Sequence, residues 1–269
     1  MSCVGMKLKY MYVYIYIGNK FIIFILMFSL IMNTSTTPYM KSNSKFNYVD
    51  FYFHFEHPFT CVISGPTMSG KSVFVKNLIR LKENRIRPCP SKVHYYFSEW
   101  QPLFDSMKTF VEFKKGLPDL DTYNGKDSVL VIIDDLMFES NNKIGNFFTK
   151  GSHHKNLSVI FISQNLFNSN KDQRTINLNS QYLVIFKNPR DILQIQFLGR
   201  SILGRNAYEF EQAYREATSK PHGYLLVNLK QNTPDQFRYM THVLDDHPEN
   251  TDKHNHQDVF VLSQHEHLL

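Results

Sequence analysis

Residues 65–72, with the sequence GPTMSGKS, combine the residue types that bind the phosphate chain of a nucleotide. They match the pattern G-x-x-x-x-G-K-[ST] and lie between a short apolar run and a segment that can continue as a helix. Gly65 and Gly70 let the backbone approach a phosphate closely, while loop amides and the helix N-terminus direct partial positive charge at it. Lys71 can reach the β- and γ-phosphates, and the Ser72 hydroxyl can bind Mg²⁺. We therefore expect the whole loop to bind ATP: Gly65, Pro66, Thr67, Met68, Ser69, Gly70, Lys71 and Ser72.

Two adjacent acids, Asp134 and Asp135, follow the aliphatic run VLVII of residues 129–133. In an ATPase the first carboxylate binds the Mg²⁺ of the nucleotide and the second orients or deprotonates the attacking water. Asp135 stands where Glu is usual, and its shorter side chain requires the water to lie closer or the strand end to tilt. A strand followed by an acidic turn would give the same pattern, but the upstream phosphate loop favours the catalytic interpretation. We expect Asp134 to bind the metal and Asp135 to act as the catalytic acid.

A polar residue, Gln164, follows the apolar run SVIFIS of residues 158–163. At the end of a strand beside the one with the acids, its side chain could contact both the γ-phosphate and the water. We expect Gln164 to be this sensor. The alternative is that Gln164 and Asn165 cap the following helix.

Charge that develops during phosphoryl transfer needs a further cation, which ring ATPases supply as an Arg from the neighbouring subunit. The candidates for this role all follow the sensor strand: Arg174, Arg190, Arg200 and Arg205. We favour Arg190 for this role and Arg174 second. The alternative for each is a surface or DNA-facing side chain.

Apolar runs alternate with helix-like segments from about residue 50 onward, which predicts an α/β domain with a largely parallel sheet. Five runs are strand-like and short, as strands covered on both faces require: residues 59–63, 93–97, 129–133, 158–163 and 182–186. A helix is expected over residues 206–218 and a last strand over residues 223–229. We place the ATPase domain at residues 46–242 and expect the polar, His- and Asp-rich tail at residues 243–269 to be disordered.

The composition allows one large domain and gives only weak functional information. The chain has 269 residues, of which 42% are hydrophobic and 20% charged, enough for a substantial core. Its three cysteines are too scattered for a disulfide framework or a C-x-x-C metal site, which favours a reducing compartment. The net charge of +6 favours a polyanionic partner.

The first 45 residues do not read as part of the ATPase core. Residues 21–32 are apolar except for Ser29, but twelve residues are too few to span a bilayer, which needs about 20. Residues 10–32 together would be long enough, with Lys20 inside them. Three interpretations remain: a membrane anchor with the ATPase in the cytosol, an upstream extension of the reading frame, or an apolar segment packed on the core.

Five blocks in this order and spacing resemble the genome-packaging ATPases of the FtsK/HerA superfamily, most closely the poxvirus-type enzymes of Maverick/Polinton elements and adintoviruses. They are GPTMSGKS, VLVIIDDLM, HHKNLSVIFISQNLF, RTINLNSQYLVIFKNPRD and EATSKPHGYLLVNL, within about residues 57–235. The resemblance implies a RecA-like P-loop core of the ASCE class with sheet order 5-1-4-3-2. It implies a homo-oligomeric ring around double-stranded DNA, which ATP and Mg²⁺ drive into a capsid, and the residue roles given above. Such an enzyme is expected in the cytoplasm or nucleus of a host cell or with the virion.

A translocase must hold the phosphate backbone without reading sequence. A basic run lies between the acid pair and the sensor strand and could do so, although a solvated polar loop is an equal alternative: Lys143, Lys150, His153, His154 and Lys155.

Two other functions remain open. A phosphotransferase such as a nucleoside kinase would need an Arg-rich lid, of which the sequence has no sign, and an inactive relic of an integrated element would retain binding without hydrolysis.

Overall fold

The structure, a computed structural model, describes residues 11–17, 20–26, 53–136, 143–167, 171–244 and 259–260. The chain divides into two units, residues 1–43 and residues 44–269. The first unit contains an antiparallel pair of strands, β1 (Met11–Ile17) and β2 (Lys20–Leu26). Much of the apolar segment expected as a possible membrane anchor is therefore strand. Among the described residues no helix is both long and apolar enough to cross a bilayer, and membrane attachment stays a prediction.

The second unit contains eleven strands within the described part of the chain. Two of them, β3 (Phe55–Glu56) and β5 (Ile86–Arg87), form a small parallel pair. The other nine form one sheet: β4 (Thr60–Ser64), β6 (Lys92–Phe97), β7 (Glu112–Lys115), β8 (Val129–Asp134), β9 (Leu157–Ser163), β10 (Tyr182–Phe186), β11 (Tyr224–Asn228), β12 (Tyr239–Met240) and β13 (Val259–Phe260).

The helices of the second unit precede or connect these strands: α1 (Lys71–Arg80), α2 (Lys82–Arg85), α3 (Lys143–Asn146), α4 (Ser152–His154), α5 (Lys171–Leu178), α6 (Ile192–Leu203) and α7 (Ala207–Ala217). A π-helical turn, Phe147–Gly151, joins α3 to α4. Short 3₁₀ segments occur at Pro102–Met107, Leu120–Thr122, Gly204–Asn206 and Asp235–Phe237.

The sheet order is β13-β12-β11-β10-β4-β9-β8-β6-β7. Its central strands β10-β4-β9-β8-β6 are the five predicted from the sequence, they stand in the expected 5-1-4-3-2 order, and they pair in parallel. The sheet as a whole is mixed, with a parallel central part as expected and an antiparallel extension that the sequence did not indicate. Strands β11, β12 and β13 are antiparallel to their neighbours, because the two helices α6 and α7 between β10 and β11 return the chain to the edge where β10 ends.

Apolar side chains cover both faces of the sheet. In β8, Leu130 and Ile132 belong to one cluster with α1, and Val131 and Ile133 belong to another with α6 and α7. This division explains the continuous apolar runs in the sequence, since each face of the central strands meets a helical layer. The molecule is thus a mixed α/β structure in which the carboxyl ends of the parallel strands meet at one edge.

The basic run expected in a loop lies in a helical segment instead. Residues 143–154 form α3, the π turn and α4, and the sequence spacing explains why. Ile144, Phe147 and Phe148 are buried, and their spacing of three and four residues gives one face of a helix.

Candidate nucleotide-binding site

The phosphate loop, residues 65–70, connects β4 to α1 at the carboxyl edge of the parallel strands. Strand register brings the other predicted residues to the same edge. Ser64 is level with Ser163 of β9, and Asp134 is level with Ile162. The backbone amide of Gly65 donates to the Ser163 carbonyl at 3.2 Å, and the amide of Asp135 donates to the Ile162 carbonyl at 3.2 Å. Three sequence motifs therefore lie at the ends of three adjacent strands, β4, β9 and β8.

Two positions of the loop require glycine, one because of its backbone conformation and the other because of the space around it. Gly70 has φ +110°, in the left-handed region that is costly for residues with a Cβ. At Gly65 the limit is space, because a Cβ would lie 2.7 Å from Cβ of Phe186 and 2.8 Å from Oγ of Ser69. The two glycines thus form a cradle that a larger residue would fill, as the phosphate-binding interpretation requires.

Lys71 begins α1 and points back over its own loop. Its ammonium group donates to the carbonyl of Gly65 at 2.6 Å and to the carbonyl of Pro66 at 2.9 Å. Burial lowers the pKa of Lys71, while the carboxylates of Asp134 and Asp135 oppose this effect. The cation is thus partly desolvated and held by neutral carbonyls, which phosphate oxygens of opposite charge can replace at a gain in energy.

Asp134 is 7% exposed at the end of β8. The hydroxyl of Tyr95, on the neighbouring strand β6, donates to its Oδ2 at 2.7 Å. Burial raises the pKa of Asp134 against the effect of this hydrogen bond, and the nearby charge of Asp135 raises it further. A cation bound beside Asp134 would relieve this unfavourable ionisation. The sequence analysis missed Tyr95, whose place in the run VHYYF suggested only a strand.

Asp135 and Gln164 contact each other directly. The amide nitrogen Nε2 of Gln164 donates to Oδ2 of Asp135 at 2.8 Å. Asp135 has φ +53°, a left-handed conformation that turns its carboxylate away from the strand and into the open edge. The predicted sensor and the predicted catalytic acid therefore form one hydrogen-bonded pair at the surface of the site.

A cavity of about 840 Å³ encloses these groups. Its lining includes the phosphate loop from Thr67 to Ser72, together with Asp134, Asp135 and Gln164. Ten other lining residues have no counterpart in the predicted site: Val73, Phe74, Asn77, Gln101, Ile162, Ser163, Phe186, His222, Tyr224 and Leu244. Gly65 and Pro66, the first two residues of the loop, do not line the cavity. Their carbonyl oxygens accept hydrogen bonds from Lys71 instead.

Arg174 and Arg190 do not line this cavity. Both are exposed, Arg174 in α5 and Arg190 in the turn before α6, where its backbone amide donates to Oδ1 of Asn188 at 3.2 Å. Neither arginine is placed to act on a nucleotide in its own chain. A role in a neighbouring subunit's site stays a prediction.

The residues present fit Mg²⁺ and a nucleotide triphosphate. Oγ of Ser69 is buried without a hydrogen-bond partner, at the inner face of the glycine cradle. Among the described residues, no group of three or more His, Cys, Asp or Glu side chains could hold a metal ion. Ser72 and Asp134 line the same cavity and would hold a Mg²⁺ ion together with phosphate oxygens, which is how this ion usually binds beside nucleotides.

Comparisons with known proteins leave the function open. No family model matches the chain, and no curated protein matches it. Among solved structures, the flagellar accessory protein FlaH from Methanocaldococcus jannaschii is similar at 14% identity and a TM-score of 0.36, over 49% of this chain and 72% of FlaH. The cytoplasmic domain of EssC is similar at 12% identity and a TM-score of 0.37, and the match spans 78% of this chain but only 41% of that domain. At such low TM-scores these similarities do not indicate a function, and the function proposed below rests on the geometry of the site.

Proposed function

We propose that this protein is an ATPase that uses Mg²⁺. The observation that carries the proposal is the hydrogen bond from Gln164 to Asp135 at the mouth of the cavity that also holds Lys71 and Asp134. A carboxylate that is exposed, aimed at the phosphate loop and paired with an amide suits activation of water. A structural role alone would not require two adjacent acids at the end of a fully buried strand.

Each residue has a distinct part in hydrolysis. Lys71 and the loop amides neutralise the phosphate oxygens, and Asp134 with Ser72 holds the Mg²⁺ ion, which stabilises charge on the transferring group. Asp135 accepts the proton of the attacking water. Gln164 holds the carboxylate of Asp135 until the γ-phosphate offers its amide another acceptor, and then couples the state of the nucleotide to strand β9.

We further propose that hydrolysis drives translocation of double-stranded DNA, as a homo-oligomeric ring that packages a viral or transposon-like genome into a capsid. The five sequence blocks support this finer function. Arg190, exposed beside the edge of the sheet, is our first candidate for the residue that completes a neighbouring site, and Arg174 is the second. The enzyme would act in the cytoplasm or nucleus of a host cell, or with the virion.

The test is ATP hydrolysis by the full chain with and without long double-stranded DNA. We expect DNA to stimulate hydrolysis, and we expect Lys71→Ala and Asp135→Asn each to lower the rate by about 10²-fold or more. Lys76→Ala, in the same helix but outside the cavity lining, is the matched control and should keep the wild-type rate.

The outcomes separate the possible functions. Hydrolysis at the same rate with and without DNA would overturn the proposed DNA translocation and favour a phosphotransferase or a nucleotide-dependent switch. ATP binding without hydrolysis under any of these conditions would overturn the ATPase and favour an inactive relic.

A further inference from the structure

A turn outside the predicted site residues brings a histidine onto the phosphate loop. His222 lies in the turn before β11, and its Nδ1 is 3.2 Å from the carbonyl oxygen of Ser69. A Cβ at Gly70 would be 3.3 Å from Cβ of His222, so the absence of a side chain at Gly70 also makes room for the histidine. His222 has φ +60°, a left-handed conformation uncommon for residues other than glycine. Such conformations persist where the surroundings impose them, frequently at ligand sites.

The contact with Ser69 determines which ring nitrogen of His222 carries hydrogen. A carbonyl oxygen only accepts hydrogen bonds, so Nδ1 of His222 must donate. In the neutral ring, Nε2 is then an acceptor. The phosphate loop thus selects a tautomer in which the outer nitrogen of His222 can accept a hydrogen bond from a ligand.

The cavity that His222 lines has uncharged residues in its wall besides the acids and Lys71. They include Val73, Asn77, Tyr224 and Leu244, which are apolar or neutral. Val73 is 52% exposed and presents an apolar surface at the first turn of α1, while the ring of Tyr224 is fixed by an edge contact with Phe74 at 4.9 Å between centroids. A largely apolar wall with a few polar groups suits a flat heteroaromatic ring, whereas phosphate requires the charged side of the cavity.

We infer that His222 contacts the base of the bound nucleotide and selects for adenine. Its Nε2 accepts a hydrogen bond from the exocyclic amino group of adenine, and it rejects guanine, which has a carbonyl oxygen at the corresponding position. The inference rests on the proposed nucleotide site and adds the identity of the base to it.

The experiment compares ATP with inorganic tripolyphosphate, both with Mg²⁺, by calorimetric titration of the full chain. His222→Gly removes the side chain and accepts the left-handed conformation, so the turn can form. We expect this variant to bind ATP about five- to tenfold more weakly, the loss of one hydrogen bond and some ring contact, and to bind tripolyphosphate with unchanged affinity. Lys220→Ala, in the same turn and outside the cavity lining, should match the wild type for both ligands.

A second variant isolates the acceptor nitrogen. His222→Phe keeps a flat ring but has no Nε2, so the preference for ATP over GTP should fall by about fivefold from its wild-type value. Equal losses for ATP and tripolyphosphate in His222→Gly would show that His222 only shapes the phosphate loop and would overturn the inference. An ATP preference retained in His222→Phe would overturn it as well. Wild-type protein that binds neither ligand would instead overturn the nucleotide site itself.

Discussion

At the scale of single residues, the central group of the candidate site is the carboxylate of Asp134, whose burial as a charged group does not stabilise the fold. Asp134 is buried at the end of a strand, and burial raises its pKa, which means that its ionised form is disfavoured in the protein without ligand. Only Tyr95 donates a side-chain hydrogen bond to it among the described residues. A bound cation would stabilise the ionised carboxylate of Asp134, and this stabilisation would contribute to the affinity for the cation. Asp134 thus shows how a functional site lowers the stability of the unliganded protein.

We therefore expect Asp134→Asn to stabilise the unliganded protein while it abolishes activity. Asparagine removes the buried charge and keeps an oxygen that can accept from Tyr95. The free energy of unfolding in urea at pH 7 should rise by about 0.5–2 kcal/mol. Asp127→Asn, which removes an exposed carboxylate paired with Lys92, should change it by less than about 0.5 kcal/mol. A clear loss of stability in Asp134→Asn would show that the carboxylate is structural.

Tyr95→Phe tests the group that orients this carboxylate. The substitution keeps the buried ring and removes the hydrogen bond to Oδ2 of Asp134. We expect hydrolysis to require about five- to tenfold more Mg²⁺ for half-maximal rate, since the carboxylate loses its fixed orientation. Tyr96→Phe removes a hydroxyl that bonds Tyr123 on the opposite face of the sheet, and it is the control. An unchanged Mg²⁺ dependence in Tyr95→Phe would contradict the orienting role.

Part of this site could be predicted from the sequence because its residues lie in short motifs. The loop Gly65–Ser72, the acid pair and Gln164 each follow a strand directly, and parallel strands bring their carboxyl ends together. Tyr95 and His222 could not be predicted, because their partners lie 39 and 153 residues away in the chain. Their contribution depends on the packing of neighbouring strands and on a single turn, which local spacing does not encode.

At the scale of elements, the five central strands and β11 were predictable, whereas the direction of β11 and the strands β7, β12 and β13 were not. Each central strand is a short aliphatic run, which is the pattern of a strand covered on both faces. Strands β12 and β13 have two residues each and carry no periodic signal. The direction of β11 follows from the helix pair α6 and α7, and the sequence analysis had identified only the second of these helices.

Gly65→Ala tests the close contact between the phosphate loop and strand β10. The new Cβ would meet Cβ of Phe186 at 2.7 Å, so the loop or the strand must move. We expect a loss of about 1–3 kcal/mol in unfolding free energy and ATP binding at least tenfold weaker by titration. Gly116→Ala is a matched control, because its Cβ would meet nothing within 4 Å and only its φ of +90° is unfavourable. That variant should lose stability and keep ATP affinity, and the same loss of affinity in both would contradict the steric explanation.

His57 joins two elements and should make the stability of the fold depend on pH. Its ring is buried, with Nδ1 2.5 Å from Oγ of Ser158 and Nε2 3.1 Å from Oδ1 of Asn156, just before β9. Burial lowers the pKa of His57, although the bond to Asn156 opposes this. The unfolded chain therefore binds a proton more readily than the folded one. The stability that His57 contributes is present above its unfolded pKa of about 6.5 and is lost as pH falls below that value.

The pH effect is measured as a difference between two proteins. We expect His57→Asn to lower the unfolding free energy in urea by about 1–3 kcal/mol at pH 7.5, and we expect this difference from the wild type to shrink at pH 5.5. A difference for His57→Asn that is constant between the two pH values would show that its protonation is not linked to folding.

At the scale of the whole molecule, the basic residues after the acid pair form a face. Lys143 and Lys150 are exposed and lie seven residues apart in the helical segment 143–154, which is two turns of a helix. Ile144 and Phe147, which lie between these lysines in the chain, are buried in the core. The π turn between α3 and α4 is a feature that often occurs at functional sites. This face carries the two exposed positive charges, which suits contact with a phosphate backbone.

The double variant Lys143→Ala/Lys150→Ala tests whether DNA binds this face. Each lysine that contacts a phosphate releases about one counterion, so the slope of log affinity against log salt should fall by about 2 in the variant. DNA stimulation of hydrolysis should decrease accordingly, while hydrolysis without DNA stays at the wild-type rate, since neither lysine lines the nucleotide cavity. Lys126→Ala/Lys187→Ala removes the same charge from two other exposed positions and should keep the wild-type slope. Equal slopes in all three proteins would exclude this face as the DNA contact and leave the resemblance to packaging ATPases without support from the surface of the molecule.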